Sequence, residues 1–239
     1  MDLSIVVPAY NEERRLQLTL DGWSAWMDAF DGSVELIVSD DGSTDGTAAL
    51  VTDAAAHDAR IRLNRLPGNQ GKGGAVRAGM LAASGDARFY VDADMNIAPF
   101  HLEPALAMLR SGVADVVAGK RSLSAYADTE RSPARLAAGA AVQVARRLLV
   151  LPVITDTQAG FKGFTAEWAA RIFDKVTITS FAFDIEVLYL ARRMGARIAE
   201  MPVSVEFRDD STFDVGKHLP PFLEDIWHIR MNAWRGRYS

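Results

Sequence analysis

Ser4-Ile5-Val6-Val7-Pro8-Ala9-Tyr10-Asn11-Glu12-Glu13 is an apolar, β-branched run that ends in a polar cluster. Its unbroken Ile and Val read as a buried strand of the kind found in parallel sheets covered by helices. The next residues supply a helix: Leu16, Leu20, Trp23, Met27 and Phe30 recur at helical spacing. Leu36-Ile37-Val38 predicts the second strand, ending in Asp40-Asp41-Gly42-Ser43-Thr44-Asp45, with Thr44 or Asp45 as N-cap of a helix to about His57.

The alternation continues outward. Ile61 to Leu66 predicts a third strand, and the turn Gly68-Asn69-Gln70-Gly71-Lys72-Gly73-Gly74 leads into a helix through Ala83. Phe89-Tyr90-Val91 is a strand that stops at Asp92, followed by a helix over Leu102 to Arg110 and a strand over Val113 to Ala118. Beyond Lys120 the pattern predicts a loop over Ser122 to Ser132, a helix over Ala134 to Val150 and a short strand over Gly160 to Phe164. A helix over Phe183 to Met194, a strand over Arg197 to Phe207 and a helix over Pro220 to Trp234 complete it. Strands alternating with helices define the α/β class.

With 239 residues and no linker or repeat, one domain is expected over 1–239. Its net charge of −5 argues against nucleic acid as a partner, and the absence of cysteine excludes thiol catalysis and disulfides. The four histidines are scattered without metal-ligand spacing. No basic segment with a long apolar run follows the N-terminus, and Leu136 to Ile154 is broken by Gln143, Arg146, Arg147 and Pro152. Neither a signal peptide nor a span of about 20 apolar residues is expected, which makes a cytoplasmic protein the default.

In open α/β sheets ligands collect beyond the carboxyl ends of the strands. Three polar clusters fall there: Tyr10-Asn11-Glu12, Asp40-Asp41 and Asp92-Ala93-Asp94. Acids gathered at strand ends need a counter-charge, and Mg²⁺ or Mn²⁺ sharing its shell with substrate phosphates suits them. An isolated Asp-x-Asp is weak evidence, since a turn or cap residue explains it equally well; the ordered set is what carries weight.

That set, Ser4 to Glu13, then Asp40-Asp41-Gly42-Ser43-Thr44-Asp45-Gly46-Thr47, then Asp92-Ala93-Asp94, resembles the family-2 glycosyltransferases in residues, order and spacing. Asn69-Gln70-Gly71-Lys72-Gly73-Gly74-Ala75-Val76-Arg77-Ala78-Gly79 and Asp156-Thr157-Gln158-Ala159-Gly160-Phe161-Lys162 narrow the resemblance to dolichyl- and other polyprenyl-phosphate glucosyl- and mannosyltransferases. It implies a single-domain GT-A fold, Rossmann-like, with a mixed, mostly parallel sheet flanked by helices. Residues 1–119 would form the nucleotide-sugar-binding half and 120–239 the acceptor half.

The resemblance also implies roles. Pro8, Ala9, Tyr10 and Glu12 with Asp40 and Asp41 would hold the nucleoside of a UDP- or GDP-hexose. Asp92, Ala93 and Asp94 would anchor the diphosphate, with Asp92, Asp94 and Asn96 as metal ligands and Lys72 and Arg77 as nearby cations. Arg121 and Arg131 would bind an acceptor phosphate, with Lys162 a third candidate. Asp184 is the remaining catalytic candidate, a base for hydroxyl acceptors; helix capping competes for it, as loop solvation does for Arg131. The implied reaction is an inverting transfer of a hexose, glucose from UDP-glucose, to a polyprenyl phosphate.

Some relatives carry transmembrane helices after the catalytic domain, and here the helix over 220–235 is the candidate substitute. Leu223, Ile226, Trp227, Met231 and Trp234 share a broad face, and from Lys217 onward four basic residues (Lys217, Arg230, Arg235, Arg237) face two acids (Glu224, Asp225). That suits peripheral contact with an anionic cytoplasmic membrane face; packing of the stripe on its own domain is the competing reading. Three other functions remain open: the same donor chemistry toward a soluble or polysaccharide hydroxyl, a non-catalytic sugar-nucleotide binder, and a nucleotidyltransferase. The retained carboxylates speak against the second, and Pro8-Ala9-Tyr10-Asn11, standing where a Gly-rich loop would follow the first strand, speaks against the third.

Overall fold

The computed structural model describes residues 1–121, 154–205 and 215–238, with side chains in the last stretch from 221 onward. Among the described residues seven strands form one sheet: β1 (Leu3–Ala9), β2 (Val34–Asp40), β3 (Ile61–Arg65), β4 (Ala87–Val91), β5 (Val116–Arg121), β6 (Phe161–Thr165) and β7 (Ile198–Val203). Their order is β3-β2-β1-β4-β6-β5-β7. All pairings are parallel except those of β6, which runs antiparallel between β4 and β5.

The α-helices among the described residues are α1 (Leu16–Ala29), α2 (Thr47–His57), α3 (Lys72–Ala82), α4 (Leu102–Arg110), α5 (Ala166–Lys175), α6 (Phe183–Arg193) and α7 (Val215–Trp234). They build a core on each face of the sheet. Val6, Ile37 and Tyr90 join one with Val76, Phe173 and Phe183, while Ile5, Val7, Leu36 and Phe89 join the other with Leu20, Trp23 and Leu106. Both sets are fully buried or nearly so, which is why β1 reads as a continuous apolar run.

The reversed β6 matters for function. Phe161, at its start, pairs with Val91 at the end of β4, so the loop 154–160 enters at the same sheet edge where the parallel strands end. Asp92 N donates to Gly160 O across that junction at 3.1 Å.

Several expectations shift. The helix after Asp45 is capped at Gly46, and Asp45 instead accepts from Thr47 N at 3.0 Å. The strand expected from Val113 begins at Val116, because Gly112 (φ 70°) ends α4 in a turn that leaves Val113 64% exposed. Helix α5 was not expected. It buries only Ala169, Ile172 and Phe173 amid charged neighbours, though Thr165 as its N-cap was a readable signal. The segments predicted over 122–132 and 134–150 lie outside the described residues. Among the described residues, no helix is long and apolar enough to cross a membrane.

Candidate active site

The polar clusters meet at one sheet edge because β1, β2 and β4 are neighbours running the same way. Pro8 and Ala9 close β1 in register with Ser39 and Asp40. Tyr10 follows and is 44% exposed. The two loops beyond are tied together: Asn11 N donates to Ser43 Oγ, Thr44 N to Asn11 Oδ1, and Glu12 N to Thr47 Oγ1, each within 2.9 Å. The Glu12 carboxylate meets Arg15. Asn11 takes the left-handed conformation (φ 54°) that asparagine tolerates.

Asp40 and Asp41 are buried and serve as holders. Asp40 Oδ1 accepts from Ser43 N at 3.0 Å, and Arg65 Nε stands 3.2 Å from its other oxygen. Asp41 receives the backbone amides of Gln70 and Gly71, both at 2.8 Å, which fixes the turn before α3. Burial raises the Asp41 pKa against those two donors. Gly71 is required there: at φ 89°, a Cβ would lie 2.5 Å from Thr179 O.

At the end of β4, Asp92 and Asp94 are half-buried. Thr19 Oγ1 donates to Ala93 O at 2.5 Å and so pins the intervening residue to α1. Lys72, the first residue of α3, places Nζ 2.5 Å from Asp92 Oδ1. Burial works to raise the Asp92 pKa, but Lys72, Lys162 and Arg121 together hold it below the usual carboxylate value. Asp94 is raised, by burial first and then by the charge of Asp92. Asn96 braces Asp94, its backbone N at 3.0 Å and its Nδ2 at 2.6 Å from the carboxylate.

A divalent cation fits this pair as a partner of phosphate. Two acids crowd one strand end, one of them carrying a raised pKa, and Asp92 already faces a cationic group. Among the described residues no cluster of three His, Cys, Asp or Glu converges. The described residues alone thus offer an open set of oxygen ligands, of the kind that Mg²⁺ or Mn²⁺ shares with phosphate oxygens and water.

The acceptor candidates fare differently. Arg121 closes β5 and clamps Asp156 through Nε (2.8 Å), Nη2 (2.9 Å) and its backbone N (3.1 Å). Arg131 lies outside the described residues. Lys162 is not offered to an acceptor phosphate: it is 0% exposed, with Nζ on Asp184 Oδ1 (2.5 Å) and Ala159 O (2.7 Å). The reason is that β6 is covered on both faces, so a cation in it must find an internal partner. Asp184 lies in the first turn of α6 without acting as its cap, and it also receives Tyr90 Oη at 2.6 Å. Arg77 reaches Asp174 O near the end of α5.

Gly160 escaped the sequence reading as a site residue. A Cβ there would stand 2.0 Å from Asp92 Oδ2, so the close approach of loop 154–160 to the anchor depends on glycine. Gly160→Ala is expected to push Asp92 aside and lower kcat/KM by about 100-fold, a misplacement effect that steady-state kinetics on folded protein would detect. Loss of less than threefold would refute it.

Two parallel strands on either side of β1, β2 and β4, each run into an acid pair, with a cation from a Gly-rich turn beside the second, and the mixed sheet that carries them is that of a GT-A glycosyltransferase. The chain belongs to glycosyl transferase family 2, whose pattern matches residues 4–173. Within the family it is 37% identical to a dolichyl-phosphate beta-glucosyltransferase of Dictyostelium discoideum, over 98% of this chain and 75% of that protein. The corresponding Homo sapiens enzyme is 33% identical, over 98% and 77%. In fold it resembles glucosyl-3-phosphoglycerate synthase from Mycobacterium tuberculosis, crystallised with Mn²⁺, UDP-glucose and phosphoglyceric acid. That match has a TM-score of 0.69 at 21% identity, over 99% of this chain and 79% of that one.

Proposed function

We propose that this glycosyltransferase transfers glucose from UDP-glucose to a polyprenyl phosphate of the dolichyl type, with inversion in a single displacement. The observation that carries the choice of acceptor is the state of Asp184. A hydroxyl acceptor needs a base, and Asp184, at 2% exposure, is held by Lys162 and Tyr90. A phosphate needs none, because its second pKa is about 6 and it is mostly dianionic at neutral pH. The names of the dolichyl-phosphate relatives support the same reading.

In this mechanism Tyr10 and the tied loops 10–13 and 43–47 flank the nucleoside. Asp92 and Asp94 would hold Mg²⁺ or Mn²⁺, which would supply positive charge toward the diphosphate of the leaving UDP. Lys72 adds positive charge on the donor side. Arg121, held by Asp156 through Nε and Nη2, would add guanidinium charge on the acceptor side. Arg131 is proposed to join it.

We place the enzyme in the cytoplasm, peripheral on the membrane face where a lipid-linked acceptor is met. On α7, Ile226 and Ile229 are buried in the core, whereas Trp227 and Trp234 are 52% and 79% exposed. The apolar stripe is thus divided, and Tyr238 is buried rather than available to lipid.

The test is incubation with labelled UDP-, GDP- and dTDP-glucose, short polyprenyl phosphate and Mg²⁺ or Mn²⁺. Organic-extractable label from UDP-glucose, abolished by EDTA, is expected. Label only in water-soluble products would favour a hydroxyl acceptor. In the same assay on anionic vesicles, Trp227→Ser/Trp234→Ser should reduce flotation by about tenfold while leaving the core residues of α7 in place. Unchanged flotation would remove the membrane contact.

A further inference from the structure

The donor-side cation Lys72 is held by a segment that has no acid of its own. Residues 177–181 pass between α5 and α6, and Thr179 O accepts from Gly73 N at 2.8 Å, one residue beyond Lys72. Phe181, two residues on, sets its ring 5.8 Å from Lys72 Nζ. Gly73 and Gly71 let this happen, since a Cβ on either would collide with the carbonyl of Ile178 or of Thr179.

The same segment is fastened from behind by the C-terminal helix. Glu186 is 0% exposed, and its Oε2 accepts from Thr177 N (2.9 Å) and Ile178 N (2.7 Å). Its Oε1 accepts from Thr177 Oγ1 at 2.6 Å and from Tyr238 Oη. Asn232 Nδ2 adds a bond to Thr177 Oγ1 at 3.1 Å. A second tie lies further along, where Ser180 Oγ donates to Asp225 Oδ2 at 2.6 Å. Burial and the neighbouring Glu186 keep the Tyr238 hydroxyl protonated and able to donate.

We propose that Glu186 and Tyr238 are positioning residues for donor binding: with Asn232 and Asp225 they lock segment 177–181, which sets the place of Lys72 beside Asp92. The lock explains a buried carboxylate that no step of the transfer uses. Four hydrogen bonds to one buried acid are more than a helix first turn needs, and two of them go to the backbone that carries Thr179. The inference rests on the reading of Lys72 as a donor-side cation.

The test is calorimetric binding of UDP with Mn²⁺ to the full chain. Tyr238→Phe keeps the ring and removes the hydroxyl; its dissociation constant is expected to rise about tenfold, the usual size of a supporting-contact effect. Ile229→Ala, a core change on α7 outside the lock, serves as the stability control and should leave binding unchanged. On a Lys72→Met background Tyr238→Phe should weaken binding by less than about twofold, because its effect passes through the absent ammonium. Unchanged binding in Tyr238→Phe, or equal weakening in Ile229→Ala, would overturn the lock. If Lys72→Met itself binds normally, the donor-side reading fails instead.

Discussion

Asp94→Ala is expected to lower kcat by about 10³-fold while the fold survives, the scale at which removing a group that stabilises developing charge is felt. Asp94 accepts from the backbone N and the Nδ2 of Asn96, so its loss unties a local brace and no core element. Its charge is a burden to the metal-free protein. Burial and the charge of Asp92 raise its pKa, so the ionised form is less at ease in the fold than in the unfolded chain. A carboxyl with a raised folded pKa contributes stability below its unfolded pKa and loses it as pH rises through the folded value. In EDTA the variant should therefore melt at or above the temperature of the parent at pH 7, with the difference shrinking as pH falls through the carboxylate range. Activity within tenfold of the parent, or a variant melting several degrees lower at pH 7, would refute this account.

Asp92 would behave otherwise. Its pKa is lowered by Lys72, Lys162 and Arg121 against burial, so its ionised form is supported by the fold. Two acids with one residue between them thus carry opposite shifts. Lys72 sits directly against Asp92 at 2.5 Å. The acid and its cation are 20 positions apart in sequence yet belong to adjoining turns at one sheet edge.

That pairing marks the limit of what the chain reveals before it folds. The strand ends were legible because each motif is local: Pro8 to Glu12, Asp40-Asp41 and Asp92 to Asp94 each follow an apolar run, and the parallel sheet brings the runs side by side. Residue roles that depend on distant partners were not legible. Tyr90 and Asp184 are far apart in sequence, and nothing near either tells that they share a hydrogen bond. Glu186 is by sequence an ordinary first-turn acid of α6, favoured by the helix dipole, and nothing near it tells that Tyr238 lies against it. Helix α5 was overlooked because its charged residues, Glu167, Arg171, Asp174 and Lys175, outnumber its buried ones.

Lys162→Met is expected to cost about 3–5 kcal/mol of stability, the usual penalty for removing one partner of a buried ion pair. Against a typical domain stability of about 5–15 kcal/mol, that is a large share. The argument is one of solvation. Asp184 is 2% exposed, and without Lys162 its charge keeps only the Tyr90 hydroxyl among the partners on Oδ1. The loss spreads to the anchor by two routes. Lys162 is one of the cations that hold the Asp92 pKa down, and its Nζ also bonds Ala159 O, next to the glycine on which Asp92 rests. Urea unfolding should show the midpoint fall with an unchanged slope, and kcat should drop even where the variant is fully folded. Adding Asp184→Leu removes the stranded charge, so the double variant should recover much of the stability without recovering the activity. A single-variant loss below about 1 kcal/mol would mean that water reaches Asp184 and that the pair is not buried in solution.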